Sequence, residues 1–323
     1  FAMRTTPLVL TFVLISSSIF AQRDTDWPVY LGDSGRRHYS DLDQITRENV
    51  SQLAVAWVYD SGDLRGSRST MYTSPLIIDG VLYGLSPLLT AFALNAATGE
   101  ELWRFDPNVS AAAQRGLMWW KRGDDARLFY AAGSTLLAVN PDDGTPVPSF
   151  GNNGRLDLTP RGDRTGYIGI TVPGVVFEDT LILGFSTTEG TDAFPGSIRA
   201  FSALDGSMSW QFDTIPAPGT PGSETWANGA LASAGGANVW TGMTLDEERG
   251  LLFAPTGSAT PDFYGGNRLG DNLYANSLLA LDARTGQLQW HYQVVRHDLW
   301  DRDNPSPPTL VRLNRDGRTV EGV

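Results

Sequence analysis

The stretch Ala93-Leu94-Asn95-Ala96-Ala97-Thr98-Gly99-Glu100-Glu101-Leu102-Trp103 reads as a strand, a tight turn and a second strand. A polar residue opens the turn, glycine four residues later supplies the positive φ that closes it, and tryptophan four residues further packs the second strand against a neighbour. The same spacing recurs at Ser202, Gly206 and Trp210, and again at Asp282, Gly286 and Trp290. A degenerate fourth copy is Asn140-Pro141-Asp142-Asp143-Gly144, with Phe150 near the tryptophan's place. Between the copies lie further strand signals at Pro75 to Tyr83, Ala126 to Ala131, Gly174 to Phe185 and Leu251 to Ala254. Each unit therefore holds about four strands, the period and content of one blade of a β-propeller. A β-sandwich with chance hairpin similarity does not account for three copies of identical spacing, each ending in tryptophan. The turn glycines at 99, 144, 206 and 286 are unevenly spaced, so loops of different length are inserted between blades, where binding sites commonly sit.

Bulk composition agrees with an all-β reading. The 323 residues include 35 glycines, 19 prolines and 10 tryptophans, and only 19% are charged, which favours short strands and turns over long amphipathic helices. A net charge of −12, with no basic run, argues against a nucleic-acid surface. The chain has no cysteine, which excludes disulfides, thiolate metal sites and a cysteine nucleophile.

The N-terminus points to export. Arg4 precedes the apolar run Leu8 to Ile15, then Ser16, Ser17 and Ser18, and a small residue at Ala21, as in a secretory signal cut after residue 21. The apolar run is shorter than the roughly 20 residues of a membrane span; a retained anchor is the alternative. Residues 22–323 form the remaining domain. Leu53 to Tyr59 alternates as a strand, and Ile45 to Val50 fits one helical turn with Thr46 as its cap.

A second stretch carries chemistry. Gln287 to Gln293 reads as a strand, with Trp290 and Tyr292 on one face and His291 and Gln293 on the other. It runs into a turn holding Asp298 and Asp301 beside Arg296, His297 and Trp300, before the stop Asn304-Pro305-Ser306-Pro307-Pro308. A strand delivering acid/base groups to its own end is a common way to mount an active site.

The tryptophan repeats together with His297-Asp298-Leu299-Trp300-Asp301 resemble the pyrroloquinoline quinone (PQQ) dependent dehydrogenases. The segment Tyr39 to Thr46 through Val55-Ala56-Trp57 also resembles that family's start, and Pro255 to Phe263 and Asp298 to Leu310 are most similar to its quinoprotein glucose dehydrogenase branch. The resemblance implies an eight-bladed propeller with PQQ near its axis, of which this chain has about four blades' worth, so that it reads as an N-terminal part of a longer product. A Lys or Arg that the family places at the quinone lies outside it.

By the same resemblance, Trp240 matches the tryptophan under the PQQ ring, although tryptophan is more often simply a core residue. Arg115 matches an arginine on a PQQ carboxylate, for which its planar fork is suited. Thr171 and Ser186 match polar groups at the cofactor. Glu189 is the best candidate cation ligand, since Ca²⁺ or Mg²⁺ takes carboxylate oxygens. Ser258 falls where the family usually has an asparagine ligand, a departure that puts metal affinity and identity in question. Asp301 matches the catalytic aspartate, which also approaches the cation. His297 and Asp298 are further candidates for acid/base or orienting roles, or for shaping the turn. The implied activity is oxidation of an alcohol or sugar hydroxyl in the periplasm, with a cytochrome c or membrane quinone as electron acceptor. The alternative from another class is a non-catalytic propeller scaffold built from the same repeats, which predicts no clustered acid, aromatic and arginine set.

Overall fold

The computed structural model describes residues 26–63, 70–109, 113–227 and 229–323. The expected signal segment, residues 1–21, lies outside them. Four antiparallel sheets of four strands follow one another along the chain. Blade 1 comprises Leu76–Ile78, Val81–Leu85, Ala91–Asn95 and Glu101–Phe105. Blade 2 comprises Met118–Arg122, Asp125–Ala132, Thr135–Val139 and Arg155–Asp157. Blade 3 comprises Val175–Phe177, Thr180–Leu183, Ile198–Ser202 and Met208–Phe212; blade 4 comprises Thr244–Asp246, Leu251–Pro255, Ser277–Asp282 and Leu288–Gln293. Within each blade neighbouring strands are consecutive in the sheet, apart from short loop ladders inserted in blades 3 and 4. This is the propeller arrangement that the repeat predicts. A hairpin, Val311–Arg315 with Arg318–Gly322, follows blade 4.

The core lies between blades. Leu76, Tyr83 and Leu85 of blade 1 pack with Leu128, Tyr130 and Leu137 of blade 2. Met118, Phe129 and Leu136 of blade 2 meet Leu181, Leu183 and Phe201 of blade 3, and Val175, Ile182 and Ala200 of blade 3 meet Leu245, Leu252 and Leu279 of blade 4. Both faces of the inner sheets are buried, which is why their strands read as near-continuous apolar runs. Each buried leucine or phenylalanine contributes on the order of 2 kcal/mol.

The tryptophan repeat is a joint between blades. Trp103 of blade 1 lies on Gly144 of blade 2, and Trp210 of blade 3 lies on Gly286 of blade 4. A Cβ on either glycine would meet the indole at 2.6 and 2.5 Å, and both glycines have φ above +70°, so glycine is required twice over. The indole N–H groups donate to the carbonyls of Pro141 (2.7 Å) and Ala283 (3.2 Å) in the same turns. Phe150, in the degenerate copy, occupies the corresponding place against Gly206 without an N–H to donate.

One expectation is corrected. Leu53 to Tyr59 forms no strand and pairs with none among the described residues. Trp57 nevertheless sits on Gly99 and donates to Ala96 O at 3.2 Å, as the outer strand of a preceding blade does; alternation signals a two-faced strand but not its partner. The expected helical turn is present: Val50 N donates to Thr46 O at 3.0 Å, the Thr46 hydroxyl accepts from Glu48 N at 3.2 Å as its cap, and a 3₁₀ segment, Val50–Gln52, continues from it. At the other end of the row Trp290 is left 42% exposed, with Phe253 tilted against it at 5.8 Å. Among the described residues no helix is long and apolar enough to cross a membrane.

Candidate active site

Loops at one end of blades 3 and 4 gather most of the residues singled out above. The ladder pairing Ser186–Thr187 with Ile168–Gly169 brings Ser186 to Thr171, and their hydroxyls are hydrogen-bonded at 2.8 Å. Arg115 reaches the same place: its Nη1 donates to Thr171 O at 3.2 Å, and its guanidinium carbon stands 5.9 Å from the Trp240 ring centroid. Trp240, half-buried, thus has a cation beside its π-face. Asn238, two residues before it, donates to Phe185 O and accepts from Thr187 Oγ1, tying the Trp240 segment to the loop that carries Glu189.

On the other side of Trp240 lie carboxylates. Trp240 Nε1 donates to Asp303 Oδ2 at 2.6 Å, and Ser258 N donates to Asp303 Oδ1 at 2.6 Å. Gly257 is glycine for want of room, since a Cβ there would meet Asp303 Oδ1 at 2.5 Å. Glu189, Asp262 and Asp301 each offer a carboxylate oxygen within 4.8 Å of the other two; Asp262 is buried, while Glu189 and Asp301 are exposed. Burial, then the charges of Asp301, Glu189 and Asp303, push Asp262 up to about 7, with Arg268 opposing. Asp301 is also raised above the ordinary carboxylate range, by burial and by Asp303, Glu189 and Asp298. Crowded like charges thus disfavour ionisation of Asp262 and Asp301, and a cation among the three would relieve them.

The turn after the last strand of blade 4 is built by Asp298. Its carboxylate is buried and accepts from Trp300 N (3.1 Å), Arg302 N (2.6 Å) and Ser258 Oγ (2.5 Å). Burial alone would raise Asp298, but hydrogen bonds from Ser258 and from the amides of Arg302, Trp300 and Leu299 together hold it below the usual range. Asn276 adds Nδ2 bonds to Ser258 Oγ (3.0 Å) and Arg302 O (2.9 Å). Asp298 therefore shapes the turn and presents Asp301, which itself sits at φ 54°. His297 is turned to Gly270 O and Asn272 Oδ1, at 3.0 and 3.2 Å from Nδ1.

The structure thus gathers Arg115, Thr171, Ser186 and Trp240 in one group and Glu189 and Asp301 in a second, with Asp303 joining the two. Ser258 stands outside the carboxylate trio, its hydroxyl committed to Asp298. Sequence reasoning missed Asp262, Asn276 and Asp303. The signals available were the buried-loop aspartate in Thr260-Pro261-Asp262-Phe263 and the alternate carboxylate in Asp301-Arg302-Asp303.

Residues 27–323 match the family described as PQQ glucose/ethanol/alcohol dehydrogenase, beta-propeller domain. The chain belongs to this family. Quinoprotein glucose dehydrogenase A of Acinetobacter calcoaceticus is 32% identical over 338 residues, which cover 93% of this chain and 41% of that protein. Quinoprotein glucose dehydrogenase of Escherichia coli is 31% identical, over 92% of this chain and 40% of that protein. The crystal structure of quinohemoprotein alcohol dehydrogenase from Comamonas testosteroni superposes with a TM-score of 0.80 at 28% identity, over 93% of this chain and 46% of that one. The chain spans about 40% of the length of the curated relatives it matches.

Proposed function

We propose that the protein carrying this chain is a periplasmic PQQ-dependent dehydrogenase that oxidises an alcohol or sugar hydroxyl, on the quinoprotein glucose dehydrogenase side of the family. The observation that carries the reading is the juxtaposition just described: an arginine on a tryptophan face, two hydroxyls beside them, and a carboxylate cluster joined to the same tryptophan through Asp303. A planar tricarboxylate quinone needs an aromatic face, carboxylate partners and a cation, and these residue types supply each.

When bound, PQQ would supply a hydride acceptor, and Ca²⁺ or Mg²⁺ would supply Lewis acidity. Trp240 offers the flat surface, and Arg115 offers a bidentate donor to a carboxylate. Thr171 and Ser186, now bonded to each other, offer hydroxyls for further polar contact. Glu189 and Asp301 offer oxygens to the cation. Asp301 is the general base: it takes the hydroxyl proton as the substrate carbon gives up its hydride, leaving a carbonyl product. A cytochrome c or a membrane quinone would take up the electrons.

The test is PQQ uptake with added Ca²⁺ or Mg²⁺, followed by dye reduction with a panel of alcohols and sugars. Cation-dependent uptake and turnover are expected; a folded protein that takes up no PQQ would refute the assignment.

A further inference from the structure

We infer that Asp262 is a direct ligand of the site's cation, the third carboxylate with Glu189 and Asp301, in the role the family resemblance gives to Ser258. The inference rests on the reading above that the site holds a cation.

Three observations carry it. First, the carboxylate oxygens of Glu189, Asp262 and Asp301 lie within 4.8 Å of one another, the spacing of groups that converge on one ion. Second, Asp262 is only 5% exposed, and its Oδ1 is buried with no hydrogen-bond partner. A buried carboxylate oxygen without a donor is costly, and buried charges are normally paired or bound to a metal. The nearby guanidinium of Arg268 attracts it but gives it no hydrogen bond, and the Arg268 Nε is itself left without a partner. Its Nη1 donates to Asn272 Oδ1 at 2.9 Å, and its Nη2 to Pro261 O and Asp298 O at 3.1 and 2.6 Å. Third, Ser258 is spoken for: its hydroxyl donates to Asp298 at 2.5 Å and accepts from Asn276 at 3.0 Å. A hydroxyl engaged on both sides, inside a buried network, has little left to offer an ion.

Asp262 is also held rigidly. The ladder of Ala259–Thr260 with Gly235–Gly236 fixes the chain just before it, and Arg268 pins Pro261 O to the same guanidinium nitrogen as Asp298 O. One buried cation thus links the two loops that bring Asp262 and Asp301 together. The site then presents three carboxylates in place of two with a neutral amide, so it favours a strongly charged hard cation.

The experiment is calorimetric titration of Ca²⁺ alone into the full-length protein, comparing wild type with Asp262→Asn, Asp262→Glu and Glu189→Gln. Thermal unfolding without cation checks each fold, and quenching of tryptophan emission reads PQQ uptake separately. Asp262→Asn should weaken Ca²⁺ binding at least about tenfold, as Glu189→Gln does, and Asp262→Glu should recover part of the loss. Should Asn fail to fold, Asp262→Ser gives the same comparison. Wild-type Ca²⁺ affinity in Asp262→Asn, with affinity lost in Glu189→Gln, overturns the role of Asp262 and leaves the dehydrogenase reading standing. Unchanged Ca²⁺ binding in every variant, with no quenching by PQQ, overturns both.

Discussion

Two aspartates three residues apart do different work. Asp298 is buried, saturated with donors and held ionised, so it organises the turn. Asp301 is exposed beside other carboxylates and holds its proton more readily. The first is a structural anion, and the second is the group proposed above as the general base. Asp301→Asn should lower turnover by about 10² to 10⁴, the usual worth of a general base, while PQQ uptake read by quenching persists at saturating Ca²⁺; steady-state rates at that Ca²⁺ concentration check this. Asp262 gives a pH dependence. Its folded value of about 7 lies above the ordinary carboxyl value of 3.8, so the native state binds the proton more tightly than the unfolded chain. Its contribution to stability is complete below about pH 4 and is lost as pH rises through 7. Without cation, the thermal midpoint should therefore fall from pH 5 to pH 8. With saturating Ca²⁺ the fall should shrink, because the ion replaces the proton, and the Ca²⁺-induced shift should grow with pH. A shift independent of pH would contradict this account of Asp262.

At the scale of the element, the recurring unit is a glycine turn with an indole laid on it from the preceding blade. Placing alanine at Gly144 or Gly206 forces a side chain into φ 74° or 79°, a strain of roughly 1 kcal/mol. The two sites differ in space: the added Cβ meets Trp103 at 2.6 Å at Gly144, but Phe150 only at 3.3 Å at Gly206. Gly144→Ala should therefore destabilise more than Gly206→Ala by denaturant midpoint, and equal losses would show that backbone strain alone matters. Trp103→Ala removes both the packing and the bond to Pro141 O, at a cost of about 3–5 kcal/mol. The existence of this unit was legible because its spacing is local. The identity of the glycine that each indole covers was not, since Trp103 lies 41 positions before Gly144 and nothing in either turn names the other. Leu53 to Tyr59 fails in the same way: its pattern marks a strand, but pairing is a tertiary matter.

Over the whole molecule, the all-β propeller followed from periodicity, because the blades bury their cores against one another in chain order. The aromatic and arginine part of the site followed from family motifs. The carboxylate part was only half legible. Asp262 and Asp303 act from irregular loops whose meeting depends on Arg268, Ser258 and Asn276, residues that no short motif connects. The site is thus a tertiary object mounted on a repetitive frame, and the proposed function stands or falls on cation-dependent quinone binding there. The most direct measurement is titration of the full-length protein with PQQ, with and without Ca²⁺, followed by cofactor absorbance and then by dye reduction in wild type and Asp301→Asn. The account predicts uptake that tightens with Ca²⁺, and reduction in wild type that is lost in the variant. A well-folded protein that ignores PQQ at every Ca²⁺ concentration would contradict it and leave a propeller that serves as a scaffold.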